Sequence, residues 1–124
     1  MIYVSTRGDA PDLDFEQVLL TGLARDGGLY VPKVLPTFSH REMSEFVDMS
    51  YSQLAVQIMM PFVGDSFSQT ELVSLVGDAY EQFDHPETVS LRALKHNEFL
   101  LELYHGPTLA FKDCAMQLLC RLFD

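Results

Sequence analysis

The residue best placed to do chemistry is Lys112. An apolar run, Phe99 to Tyr104, ends at His105-Gly106-Pro107, and a helical pattern follows with Thr108 as a candidate N-cap. This puts Lys112 in the first helical turn. Its helical neighbours at spacings of three, four and seven are Thr108, Leu109, Ala115, Met116 and Leu119. The helix also carries one narrow polar stripe, Asp113, Gln117, Arg121 and Asp124. Lys112 lies off that stripe, on an apolar flank. An ammonium there either snorkels to water or binds a partner, or it is desolvated and becomes a nucleophilic amine. Amines of the second kind form Schiff bases with carbonyl compounds. The pattern leaves both readings open.

Other reactive residue types offer less. Cys114 and Cys120 are six residues apart within the same predicted helix. Their Cα atoms would stand about 9 Å apart, beyond the roughly 7 Å limit of a disulfide. They read as buried thiols, and no His/Cys/Asp/Glu spacing suggests a metal site. His85, next to Pro86, reads as an exposed loop histidine. Gly27-Gly28 after Asp26 reads as a tight turn with φ > 0, or alternatively as a cradle for an anion. Arg7-Gly8-Asp9 spells an adhesion tripeptide but reads as a strand-closing turn.

Four helix starts carry capping-box signatures with an apolar pair flanking each. They are Asp14 with Gln17, Ser39 with Glu42, Ser50 with Gln53, and Ser68 with Glu71. The first helix stops near Gly22, the second covers about 40–48, the third runs from Tyr51 to about Met60 where Pro61 ends or kinks it, and the fourth covers about 69–83. In that fourth segment Leu72, Val73, Leu75, Val76, Ala79, Tyr80 and Phe83 recur at helical spacing, and Gly77 predicts a close helix contact. Residues 2–6 and 29–31 read as short strands, with Pro32 confining the second to an edge or end. Segments 89–94 and 99–104 read as a hairpin joined by a four-residue turn, 95–98. The expected class is α+β: a mostly helical domain over 1–104 with one small mixed sheet, then 105–124 as the first helix of a second domain.

Composition excludes several function classes. Eight Lys and Arg face eighteen Asp and Glu, for a formal charge of −10, with no basic cluster. Nucleic acid is therefore not an expected partner. No run approaches the roughly 18 apolar residues of a membrane span, and no signal peptide is evident at the N-terminus. The expected location is cytoplasmic.

Three segments carry a family resemblance. Tyr3-Val4-Ser5-Thr6-Arg7-Gly8, the run Gly22 to Pro32, and above all Leu101 to Asp113 with its His-Gly-Pro-Thr-Leu-Ala-Phe-Lys-Asp string resemble the threonine synthase family in the family's own order. Ala79 to Phe83 also resembles a family position. The resemblance implies a pyridoxal 5'-phosphate enzyme of the tryptophan-synthase-β-like fold, a carbon–oxygen lyase converting O-phospho-L-homoserine and water to L-threonine and phosphate. It implies that Lys112 is the catalytic residue and holds the cofactor as a Schiff base. His105, Thr108, Phe111 and Asp113 match the same motif and are expected to shape the cofactor pocket. Family members are several hundred residues long, and their glycine- and serine-rich phosphate loop lies downstream of the lysine. The chain is thus expected to be an N-terminal portion that is inactive alone and self-associates through the apolar segment 109–123. The alternative is a non-catalytic stand-alone interaction or oligomerisation module derived from that enzyme.

Overall fold

The computed structural model describes residues 1–123. Asp124, the last position of the expected polar stripe, lies outside the described residues. The class is α+β, with five α-helices and two two-stranded antiparallel sheets among the described residues. The chain divides into two compact units, Met1–Val47 with Gln57–Gln69, and Asp48–Val56 with Thr70–Asp124.

The first unit is organised by a short ladder. Strand β1, Tyr3–Ser5, pairs antiparallel with β2, Tyr30–Pro32, matching Tyr3 to Pro32 and Ser5 to Tyr30. Pro32 lacks an N–H and sits at the strand end, as its chemistry requires. Helix α1, Phe15–Thr21, starts on a complete Asp14/Gln17 capping box and stops at Gly22. Helix α2, His40–Glu45, starts on the Ser39/Glu42 box, and a 3-10 turn extends it over Phe46–Asp48. The loop Asp26-Gly27-Gly28 is a tight turn built round its own carboxylate. Ser5 Oγ lies 2.8 and 2.7 Å from the two Asp26 oxygens, and the N–H groups of Asp9 and Gly28 donate at 3.0 and 2.9 Å. The anion held by these amides is Asp26 itself. Burial pushes this carboxyl up, but the hydrogen bonds outweigh it and hold it below its ordinary range.

Helix α3, Tyr51–Val63, begins at the reciprocal Ser50/Gln53 bonds. It does not end at Pro61 but runs to Val63. Two interactions hold that last turn. Val63 is only 1 % exposed. The Tyr3 hydroxyl donates to Phe62 O at 2.8 Å, meeting a carbonyl that the helix end leaves without a partner. Gly64 then breaks the helix at φ +59°. The rings of Tyr3, Phe15 and Phe67 form a chain with centroids 6.3 and 6.2 Å apart.

The second unit packs around Val56, Leu72, Val76, Ala79, Tyr80 and Leu118, all buried. Helix α4, Gln69–Tyr80, is shorter than the periodicity predicts, because residues 81–82 form a turn. Gly77 meets open space rather than another helix. Strands β3, Ser90–Lys95, and β4, Glu98–Glu102, pair antiparallel. The turn is two residues, not four. Asn97 takes φ +60°, which its side chain tolerates, so Lys95 can pair with Glu98. The single mixed sheet expected from sequence is thus two separate antiparallel ladders. Helix α5, Asp113–Leu122, completes the unit. Its two cysteines are free thiols as expected but not buried ones. Cys114 is half-buried and Cys120 exposed, because α5 rests on one narrow face.

Gly64 predicts a measurable contrast with Gly8. Both have φ > 0, but a Cβ on Gly64 would stand 2.5 Å from Met1 N, whereas one on Gly8 meets nothing within 4 Å. Gly8→Ala should cost about 1–2 kcal/mol from the left-handed backbone alone. Gly64→Ala should cost more, and urea unfolding midpoints of the two variants check the order.

Candidate active site

Every motif residue singled out around Lys112 lies in the second unit. The support begins one turn above it. Tyr80, at the end of α4, donates its hydroxyl to Cys114 O at 2.8 Å, tying α4 to the first turn of α5. The Tyr51 ring meets Tyr80 edge-on at 4.9 Å. Burial pushes the Tyr80 phenol well above its ordinary value, and Tyr51 adds to this. The hydroxyl therefore stays a donor.

The segment 108–112 is a turn, not the first turn of a helix. Leu109 takes φ +59°, which α-helix cannot accommodate, and α5 starts only at Asp113 with Lys112 in the N-cap position. Thr108 does not cap. Its hydroxyl and its N–H both donate to Asp113 Oδ2, each at 2.8 Å. Gln117 Nε2 donates to Asp113 Oδ1 at 3.2 Å, so the i,i+4 part of the polar stripe is real. Asp113 is 3 % exposed. Gly106 lies against it so closely that a Cβ there would overlap the Asp113 side chain. Burial raises the Asp113 carboxyl, but the bonds from Thr108 and Gln117 outweigh it and hold it below its usual range.

Lys112 is exposed, as are Thr108, Leu109, Ala115 and Met116. Of the two readings the pattern left open, the exposed ammonium is the one observed, and the apolar flank does not desolvate the amine. Because 108–112 is a turn, those side chains do not stack over Lys112 as helical neighbours would. Among the described residues Lys112 makes no ion pair. Phe111 is also exposed, at 65 %. Helix α5 is not the buried helix its composition predicts. Only Asp113 and Leu118 are buried, and Met116, Cys120 and Phe123 are exposed.

His105 belongs to a different cluster. Its Nε2 stands 3.3 Å from Glu102 Oε2 and 3.2 Å from Ser90 Oγ, and Ser90 Oγ donates to the same Glu102 oxygen at 2.8 Å. Its backbone carbonyl accepts from Asp84 N at 2.8 Å. The rings of His85 and Tyr104 lie on the imidazole, each 4.7 Å from its centre. His85 is therefore half-buried in a stack rather than an exposed loop residue. Hydrogen bonds from the Ser90 and Tyr104 hydroxyls hold the Glu102 carboxyl below its ordinary range. Among the described residues no hydrogen bond or ion pair joins His105 to Thr108, Phe111, Lys112 or Asp113. Sequence reading missed Ser90, Glu102 and Gly106. The available signal was Glu102, a lone carboxylate inside the apolar run 99–104.

These carboxylates set the acid response. Asp26, Glu102 and Asp113 all have folded values below their unfolded ones. Their stabilisation is complete above about pH 5 and is lost as pH falls through the folded values. The thermal midpoint should hold from neutral pH down to about pH 5 and fall steadily below about pH 4. The slope of that fall should be shallower in Asp113→Asn, as read by circular dichroism melts across the acid range.

Comparison with known proteins bears on the family and the fold. The chain is 52 % identical over 124 residues to the threonine synthase of Pseudomonas aeruginosa, covering all of this chain and 26 % of that protein. It is 42 % identical over 123 residues to the threonine synthase of Schizosaccharomyces pombe, covering 98 % of this chain and 24 % of that one. The pyridoxal-phosphate-bound threonine synthase of Brucella melitensis superposes with a TM-score of 0.96 at 48 % identity, over 98 % of this chain and 26 % of that structure. The chain thus spans about a quarter of the length of these relatives. A family model described as the threonine synthase N terminus matches residues 2–80, and the chain belongs to that family.

Proposed function

We propose that this chain supplies the cofactor-bearing lysine of a threonine synthase, which converts O-phospho-L-homoserine and water to L-threonine and phosphate. The observation that carries the reading is the place of Lys112, at the N-cap of α5 inside the His105 to Asp113 string that resembles the family's motif; its side chain is exposed and makes no ion pair among the described residues. The similar Brucella melitensis enzyme holds pyridoxal phosphate. The residues present fit that group at its carbonyl end, since an unpaired primary amine is what an aldehyde requires. When bound, pyridoxal 5'-phosphate supplies an electron sink for carbanions next to the substrate nitrogen.

The chain's own residues then have distinct tasks. Lys112 Nζ would hold the cofactor, and as a free amine it would move protons to and from the substrate carbons. Thr108 and Asp113 fix the turn that carries Lys112. Phe111 presents an exposed ring beside it. His105, held by Ser90 and Glu102, borders the start of the same segment. The groups that would hold the cofactor phosphate are not in this sequence, which has no glycine- and serine-rich loop. The chain alone therefore carries the lysine without turning over substrate. We place the domain boundary after Tyr104, where the β3–β4 ladder has ended at Glu102. A cytoplasmic location belongs to the same reading, supported by two free thiols.

One observation favours a second reading, an interaction or oligomerisation module. Leu109, Phe111, Met116 and Phe123 are 45–70 % exposed and all lie in 109–123. Self-association through this segment fits either reading, and a monomer by sedimentation at high concentration would remove it. Borohydride reduction after adding pyridoxal 5'-phosphate separates the two. In a chain extended to the full length of its relatives, the enzyme reading expects a pyridoxyl label concentrated on Lys112 and absent from Lys112→Ala. A label spread evenly over Lys33, Lys95 and Lys112 favours the module.

A further inference from the structure

Asp113 matches the motif's expected cofactor-contacting residues, but its carboxylate is already engaged. Oδ2 takes two bonds from Thr108, Oδ1 takes one from Gln117, and the side chain is buried against Gly106. What these bonds enclose is the turn Thr108 to Lys112, which contains a leucine in the left-handed region. A non-glycine residue at φ +59° is strained and persists where surrounding contacts over-determine it. Leu109 is 70 % exposed, so burial does not hold it there. The holding contacts are the Thr108–Asp113 pair and two backbone bonds, Leu109 N to Gly106 O and Asp113 N to Ala110 O, both 3.0 Å. On the other side, Lys112 O accepts from Ala115 N at 3.0 Å and Met116 N at 2.8 Å. Lys112 is thus clamped through its backbone while its side chain stays exposed.

We propose that Asp113 is a positioning residue for Lys112: by accepting the N–H and the hydroxyl of Thr108 on one oxygen, it locks the strained 108–112 turn and sets where the lysine amine stands. The role needs an acceptor atom, not a charge acting on the cofactor. It deepens the proposed function and rests on that reading for its purpose, although the lock itself is a property of this chain.

The test measures local order and lysine capture separately, on the full chain. Backbone 15N relaxation should report Lys112 as rigid in the unchanged protein, with an order parameter of about 0.85. Thr108→Val and Asp113→Ala should lower it below about 0.6 for residues 109–112. Thr108→Ser and Asp113→Asn, which keep a hydroxyl and an acceptor oxygen, should restore it. Thr108 is exposed, so Thr108→Val keeps the test valid if Asp113→Ala fails to fold. The initial rate of borohydride-fixed pyridoxyl labelling at Lys112 should fall about tenfold in the two disrupting variants and stay unchanged at Lys95. An order parameter unmoved in Thr108→Val would overturn the proposal. So would Asp113→Asn behaving like Asp113→Ala, which would make the charge the agent. If the turn responds as stated but a chain extended to the full length of its relatives takes no label at Lys112, the lock stands and the enzyme reading falls.

Discussion

The candidate site depends on one buried carboxylate accepting from a residue five positions earlier. A carboxylate taken out of water must be given donors, or it protonates. Asp113 finds three: two on Thr108 and one on Gln117. Satisfying the charge shapes the backbone. The chain from Thr108 must turn back on itself to bring N–H and hydroxyl to the same oxygen. Leu109 absorbs that turn in a conformation that glycine would adopt more readily. Gly106 is needed because the loop passes too close to Asp113 for any Cβ.

Two tyrosines extend the same logic to each unit. Tyr3 in the first and Tyr80 in the second each bury a ring and spend the hydroxyl on a helix carbonyl, Phe62 O and Cys114 O. The ring supplies apolar area and the hydroxyl supplies direction. In the first unit this meets the carbonyl of Phe62 in the last turn of α3, just past Pro61. In the second it fixes the start of α5, the element from which the Asp113 lock works. The Ser90–Glu102–His105 cluster is a third device of this kind. It gathers the polar groups at one end of the hairpin and holds the residue that precedes Gly106.

Local rules read well from the chain, and the reasons are visible. Asp14, Ser39 and Ser50 each cap the helix expected of them, because a cap involves residues three apart and needs no tertiary partner. Gly22 and Gly64 end helices for equally local reasons. Thr108 failed as a cap although its residue type suits one. A stronger competitor, the Asp113 carboxylate, recruited its hydroxyl as a donor. Pro61, read as ending or kinking α3, does not end it, and the last turn beyond it is met by Tyr3, which lies 59 residues before Phe62 and donates to Phe62 O. His85 was misread as a loop residue because its stacking partner, His105, is 20 positions away.

Sequence alone determined the α+β class, the places where most helices begin and the family, and it singled out Lys112 as the candidate residue for chemistry. These follow from residue type, short-range spacing and a specific motif string. Only the tertiary structure decided that Lys112 stands exposed on a locked turn, that the two ladders are separate, and that α5 rests on one face with its apolar remainder uncovered. Each of those outcomes depends on which distant group reaches a given donor or acceptor first. That competition is settled in space, by burial and hydrogen-bond geometry, and periodicity along the chain carries no record of it.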